Sequence, residues 1–344
     1  MIKIYPNTKV YVYAPLNYTT GGAELLHQLV HCLNSNNIDS YIVYFDRAGI
    51  TKGDVPQAYS KYMIKVSDHV EDTQNNIIVI YEGEFNKMYL TQNAQKLLWW
   101  LSVDNFFLYS ISFLAISDLM HWNITMGIKQ LIKRSINKIL RKPPIATISI
   151  KQLVSLDALH CYQSEYAQNF LENRNVPELL PLSDFINSDF STNNIQLARE
   201  KKVLYNPAKG FKYTSKLIRK TPEITWVPLV NLTREQLINE FKTSMLYVDF
   251  GYHPGKDRIP REAAINGCCI LTNKAGSAKF FEDVAILKKY KIDEKNTSVK
   301  EVINRIKFML DHYDKINEDF DFYRNRILKE KEIFEQQVKD IFQI

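Results

Sequence analysis

The chain has 344 residues, enough for two domains with full cores, and its 45% hydrophobic and 24% charged content is that of a folded globular protein. A net charge of +6 is mild and scattered, which argues against nucleic acid as a partner. The four cysteines, Cys32, Cys161, Cys268 and Cys269, sit in apolar runs without C-x-x-C spacing, so reduced thiols and a cytoplasmic setting are expected. The first residues run straight into a strand and no apolar run is long enough to span a bilayer, so neither a secretory signal nor a transmembrane helix is expected.

Residues 10–14 read as the first strand, leading through Gly21-Gly22 into a helix with Leu25, Leu26, Leu29, Val30 and Leu33 on one face. Adjacent glycines at a strand-to-helix turn let a ligand approach the backbone and its free N–H groups; a tight turn without a ligand is the competing reading. Segments 41–45, 77–81 and 97–103 are continuously apolar, as strands of a parallel sheet covered on both faces should be. The last of them brings Asp104 and Asn105 to a strand C-terminus, where open α/β sheets place their ligands. A plain loop or helix cap would use the same residue types.

Residues 106–142 form an insertion. Its first part is apolar (Phe106, Phe107, Leu108, Tyr109, Ile111, Phe113, Leu114, Ile116) and leads to Trp122. A basic helix follows, with Lys129, Lys133, Arg134, Lys138, Arg141 and Lys142 interleaved with Ile128, Leu131, Ile132, Ile136, Ile139 and Leu140, and with no acidic residue between Trp122 and Lys142. A cationic amphipathic helix beside exposed aromatics reads as a contact with an anionic membrane surface; a helical hairpin packed on its own domain is the alternative. Pro143-Pro144 ends the insertion, 159–163 and 178–182 supply two more strands, and a stretch rich in Ser, Asp and Asn marks a domain boundary near residue 188.

The second domain opens with a strand at 202–205 and the turn Asn206-Pro207-Ala208-Lys209-Gly210, where the Lys209 ammonium can reach a phosphate. A strand at 224–229 and a helix capped by Thr233 precede the strand 245–250. The loop after it carries His253, Lys256, Asp257 and Arg258, and a helix is expected to begin at Pro260, whose fixed φ suits a first turn. The N–H groups of that turn, with Lys256 and Arg258 just ahead of them, make a place for an anion, and the Glu262 carboxylate can accept sugar hydroxyls. A phosphate next to a hydroxyl-binding carboxylate points to a nucleotide-sugar. No G-x-G-x-x-G follows any strand, which argues against a dinucleotide-binding oxidoreductase. A last helix, 320–342, spaces Ile327, Phe334, Val338 and Ile341 on one face.

These motifs, in this order, resemble the GT-B glycosyltransferases, and more closely the large retaining, family 4-like group of bacterial polysaccharide and lipopolysaccharide synthesis. The residues carrying the resemblance are Gly21-Gly22-Ala23-Glu24, 99–105, Ser164-Glu165-Tyr166, 206–210 and 254–267. It implies an α/β fold of two Rossmann-like parallel-sheet domains facing a cleft. The acceptor domain would be 1–187 with the insertion 106–142, the donor domain 188–319, and a C-terminal helix within 320–344 would cross back to the first domain.

It further implies that Lys209, with Asn206 and Gly210, binds the donor diphosphate, that Glu262 binds donor hydroxyls, and that Gly21 and Gly22 lie near the diphosphate and acceptor. The family's first glutamate is replaced by Pro254, leaving His253, Lys256 or Asp257 to make its contact. The arginine that usually precedes the lysine is absent, leaving Arg258 or Arg261 to replace its charge. Asp104 would orient a sugar, or act as base if the reaction inverts.

The expected activity is transfer from a nucleotide-diphosphate-sugar to a saccharide or lipid-linked acceptor, with retention and without a metal or other cofactor, on the inner face of the cytoplasmic membrane. A catalytically degenerate GT-B protein that only binds a nucleotide-sugar or a partner is the alternative.

Overall fold

The computed structural model describes residues 2–46, 49–109, 119–120, 124–140, 150–190 and 197–344. The chain divides into two compact units. The first comprises Met1–Gln163, Ala167–Ser183 and Phe334–Ile344; the second comprises Ser164–Tyr166 and Asp184–Ile333.

The first unit is built on a 7-stranded sheet of order β3-β2-β1-β4-β5-β6-β7, every pairing parallel. Its strands are β1 (Lys9–Pro15), β2 (Asp39–Phe45), β3 (Val66–Ser67), β4 (Ile77–Tyr81), β5 (Gln95–Trp100), β6 (Leu159–Tyr162) and β7 (Leu179–Pro181). Val10, Val12, Ile42, Val43, Ile78, Val79, Leu97, Leu98, Trp99 and Trp100 are wholly buried, as a sheet covered on both faces requires. The 5-stranded sheet of the second unit, order β12-β11-β10-β8-β9, is also parallel throughout. It consists of β8 (Glu200–Tyr205), β9 (Thr225–Pro228), β10 (Ser244–Asp249), β11 (Cys269–Asn273) and β12 (Lys291–Ile292). Parallel pairing delivers the turn that follows each strand to one edge of its sheet.

The helices that bear on function are α1 (Gly21–Ser35), α2 (Val103–Tyr109), α3 (Ile124–Ile139), α4 (Glu165–Glu172), α5 (Phe211–Lys220), α6 (Arg234–Thr243), α7 (Arg258–Ile265), α8 (Val299–Asp311), α9 (Asp321–Leu328) and α10 (Glu330–Phe342). Side chains cap three of them in the expected way: Thr20 accepts from Ala23 N–H at the start of α1, and Thr233 and Ser298 form capping boxes with Gln236 and Glu301. None of the helices among the described residues is long and apolar enough to cross a membrane. From Phe334 onwards α10 belongs to the first unit, where Phe334, Val338, Ile341 and Phe342 are buried and Phe334 stacks on Trp99 with ring centroids 6.4 Å apart.

Several expectations shift. The strand expected over 97–103 ends at Trp100, because Glu82 draws the N–H groups of Leu101 and Ser102 onto its carboxylate and α2 begins at Val103. The helix expected from Pro260 starts two residues earlier, at Arg258. The single helix expected over 320–342 is two, α9 and α10, parted at Lys329, whose N–H bonds to Arg326 in a tightened turn.

Within the insertion, Phe106 and Phe107 are not exposed aromatics. They are buried among Phe85, Trp100 and Phe170, with centroid separations of 5.2 Å for Phe85–Phe106 and 5.6 Å for Phe107–Phe170. Ile111, Phe113, Leu114, Ile116, Trp122, Arg141, Lys142 and the Pro143-Pro144 pair lie outside the described residues, as do the side chains of Leu108 and Tyr109.

Candidate functional site

Most of the expected site residues fall on the strand-exit edge of the second sheet, where β8 and β10 are neighbours. Lys209 lies in the turn after β8, and Gly210, at φ +61°, forms the N-cap of α5 without a side-chain cap. A Cβ on Gly210 would fall 2.2 Å from the carbonyl oxygen of Phe250, so only glycine lets the two turns touch. The first N–H groups of α5 have no partner within the helix, and the positive end of its dipole lies there. The Asn206 side chain accepts from Ala208 N–H at 3.0 Å, a local turn that shapes the loop presenting Lys209.

The second turn, after β10, is anchored from below. Tyr247 and the Gly251 N–H both donate to Asp249 at 2.9 Å, Asn273 donates to the Gly251 carbonyl, and Ser277 donates to the carbonyls of His253 and Gly255. Gly276, at φ +60°, packs so tightly that a Cβ would meet the His253 carbonyl oxygen at 1.9 Å.

On this framework four charged side chains form one cluster. Lys209 Nζ donates to Asp257 Oδ2 at 2.6 Å. His253 Nδ1 lies 2.8 Å from the same oxygen, and His253 Nε2 lies 3.6 Å from Asp249 Oδ1. Asp257 stands at the N-cap of α7, yet its carboxylate makes no capping bond. It is turned to Lys209 and His253 instead. Burial works against charge on both His253 and Asp257; the flanking carboxylates nevertheless raise the imidazole's pKa above its usual value, and His253 and Lys209 hold Asp257 below its own.

Asp249, His253 and Asp257 are also the one grouping among the described residues whose ligand atoms lie close enough, within 4.8 Å, to hold a cation. The imidazole, however, turns one nitrogen to each carboxylate, as a bridging cation does, and Lys209 already fills the outer side of Asp257.

Beside this lies a second cluster. Arg261 is wholly buried and donates to Asp184 Oδ2 at 2.6 Å and to Glu330 Oε2 at 2.7 Å. Lys256 Nζ is 2.8 Å from Glu330, and Arg258 Nε is 3.7 Å from Asp184. Lys256, Arg258 and Arg261 thus gather around Asp184 and Glu330 near the N-terminus of α7. Burial pushes the Asp184 carboxyl up, but Arg261, Lys256 and Arg258 outweigh it and keep it below its usual range.

Neither Arg261 nor His253 has exposed surface: Arg261 is paired with Asp184 and Glu330, and His253 lies between Asp249 and Asp257. Glu262, on the second turn of α7, is nearly buried at 7% exposure.

In the first unit, Gly21, Glu82 and Asp104 follow the adjacent strands β1, β4 and β5. Gly21 and Gly22 form the first turn of α1. A Cβ on Gly22 would meet only Leu101 Cδ1, at 4.0 Å, so the local packing does not demand a glycine there. Asp104 is buried in the first turn of α2.

Glu82, which the sequence reading passed over, holds this turn through Leu101 N–H at 2.8 Å and Ser102 N–H at 3.1 Å. Complete burial raises its carboxyl pKa to about 8. Its only signal in the sequence is an acidic residue directly after an apolar strand. Asp249, likewise passed over, carries the same kind of signal at the end of β10.

No protein-family model matches the sequence, and no curated protein matches it. Among solved structures, the chain is similar to the sucrose-phosphate synthase of Thermosynechococcus elongatus at 10% identity and a TM-score of 0.59, over 97% of this chain and 98% of that one. It is similar to Anabaena HepE, solved in complex with UDP, at 10% identity and a TM-score of 0.58, over 97% and 99% of the two chains. TarM of S. aureus aligns with 80% of this chain at 14% identity and a TM-score of 0.54, and the match spans 56% of TarM's length. Together with the two parallel sheets, these likenesses give the architecture: a GT-B fold.

The Glu82 carboxyl yields a pH prediction. The folded chain keeps this proton to about pH 8, whereas the unfolded chain loses it near 4.5, so Glu82's contribution is full below 4.5 and is lost as pH rises through 8. Glu82→Gln, which cannot ionise, should remove that part of the decline. The fall in Tm between about pH 5 and about pH 8.5 should then be smaller in the variant, by on the order of 5 °C.

Proposed function

We propose that the protein is a glycosyltransferase that takes its sugar from a nucleotide-diphosphate donor bound at the strand-exit edge of the second unit. The observation that carries this reading is Lys209, an ammonium at the uncapped N-terminus of α5, beside the turn that leads into the Glu262-bearing helix α7. Departure of the sugar leaves charge on the β-phosphate. Lys209, the N–H groups following Gly210 and the cations Lys256 and Arg258 would stabilise it there, so side-chain cations would serve where other transferases use a divalent metal. Glu262 would hold donor hydroxyls. Gly21 and Gly22 would let donor or acceptor approach α1, and Asp104 would orient a sugar. HepE, a solved structure with the same fold, binds UDP and UDP-glucose, and AviGT4, another, is a glycosyltransferase of avilamycin A biosynthesis; both support the class of reaction.

The acceptor is proposed to be a saccharide or lipid-linked saccharide of bacterial surface glycan synthesis, with transfer by retention at the inner face of the cytoplasmic membrane. Helix α3 supports the membrane part. At about 100° per residue, Ile124, Ile128, Ile132, Ile136 and Ile139 fall on one arc, and all are between 46% and 79% exposed. Exposed Lys129 and Lys133 flank one edge of that arc, and exposed Arg134 and Lys138 flank the other. Gly127 and Gln130 face inward, with Gly127 close against Met120. An apolar arc between two basic edges suits a helix lying in an anionic interface, its long cations reaching the headgroups.

A thermal-shift series against UDP, GDP, CMP, dTDP and their sugars tests the donor site. One nucleotide diphosphate should raise Tm by several degrees; Lys209→Ala should abolish the rise and Glu262→Ala should weaken the response to the sugar form more than to the bare nucleotide. No response to any nucleotide would refute the nucleotide-donor site and favour a GT-B protein that binds a partner without turnover, or one that uses a lipid-phosphate donor.

Vesicle flotation tests the membrane reading. Binding to vesicles rich in phosphatidylglycerol should fall about tenfold or more when Lys133, Arg134 and Lys138 are changed to Gln, and should fall again with Ile128 and Ile132 changed to Ser. Unchanged binding in both variants would refute it.

A further inference from the structure

His253 is a buried imidazole between two carboxylates, and among the described residues no other polar atom serves either ring nitrogen. Asp257, in turn, gives up its capping position on α7 and shares one oxygen between His253 and Lys209. A carboxylate at an N-cap ordinarily stabilises its helix, so this diversion needs a compensating use. We propose that His253 is a positioning residue which, through Asp257, sets how freely Lys209 can engage the donor diphosphate. The inference rests on the nucleotide-sugar reading of the site given above.

The physical basis is charge. With the imidazole protonated, His253 and Lys209 balance Asp249 and Asp257, and Asp257 is satisfied from behind. Lys209 can then turn outward to a phosphate while Asp257 keeps a partner. When the imidazole loses its proton, the cluster carries one net negative charge. Asp257 then holds Lys209 more tightly, and the cluster repels an incoming diphosphate.

The groups facing the imidazole are Asp249 from the end of β10, Asp257 from the loop before α7 and Lys209 from the turn after β8. The two carboxylates favour the proton; burial and Lys209 oppose it. The balance lies on the raised side of the ordinary histidine value, so the change in donor affinity is expected at and above neutral pH.

Isothermal titration with UDP, GDP and dTDP, from about pH 6 to about pH 9, tests this in the full-length chain. Wild type should bind its preferred diphosphate about tenfold less tightly at the alkaline end. His253→Asn keeps a donor towards Asp257 but has no proton to lose, so its affinity should retain only the weak pH dependence of the ligand itself. Asp257→Asn removes the shared carboxylate from a partly exposed position and should also flatten the profile, which guards against a His253 variant that does not fold. A His253→Asn or Asp257→Asn profile as steep as wild type, in a protein whose binding still depends on Lys209, would overturn the relay and leave the donor site standing. Failure of wild type to bind any diphosphate at any pH would overturn the donor reading and the relay with it.

Discussion

Parallel strand pairing is the constraint from which the rest of this molecule follows. Every strand of each described sheet runs the same way, so every strand-to-helix turn comes out on one edge. In the second unit this sets the turn after β8 beside the turn after β10, close enough that Gly210 must be glycine. Lys209 and Asp257, 48 residues apart in the chain, meet at 2.6 Å for that reason. In the first unit the same rule gathers Gly21, Glu82 and Asp104 behind three adjacent strands. Helix N-termini concentrate on these edges, and they are where an anionic ligand gains most from backbone N–H groups.

Charge in the second unit is arranged in two tiers. Arg261, with Asp184 and Glu330, is buried and ion-paired; removing any one of them would strand a charge in the interior, so this tier serves the framework. Lys256 and Arg258 border it, and Lys209 stands outermost, one third exposed, on a carboxylate it shares with His253. Exposure therefore grades from structural cations to those able to meet a ligand.

Much of this was legible in the sequence because parallel strands leave continuous apolar runs and turns leave glycine, proline and caps. The runs before Lys209, before His253 and before Gly21 each mark a strand exit, and Thr233 announces its helix as a cap. What could not be read is which charges face inward. Nothing in the spacing distinguishes Arg258 from Arg261, yet three residues of α7 separate a partly exposed cation from one with no exposed area. His253 reads as a ligand contact until its neighbours are known, and Asp249 and Glu82 look like the polar ends of strands. Phe106 and Phe107 have the same residue type as a membrane-seeking aromatic but are enclosed by Phe85, Trp100 and Phe170, whereas the isoleucines of α3, on a helix with ordinary amphipathic spacing, remain uncovered.

We propose that a nucleotide diphosphate is held by the turns after β8 and β10. Hydrogen–deuterium exchange, run with and without each saturating nucleoside diphosphate, reads those turns directly. The nucleotide recognised should slow exchange in segments 206–216 and 251–264, with little change across β9 and α6. Slowed exchange that spares both segments, or no change with any nucleoside diphosphate, would contradict it.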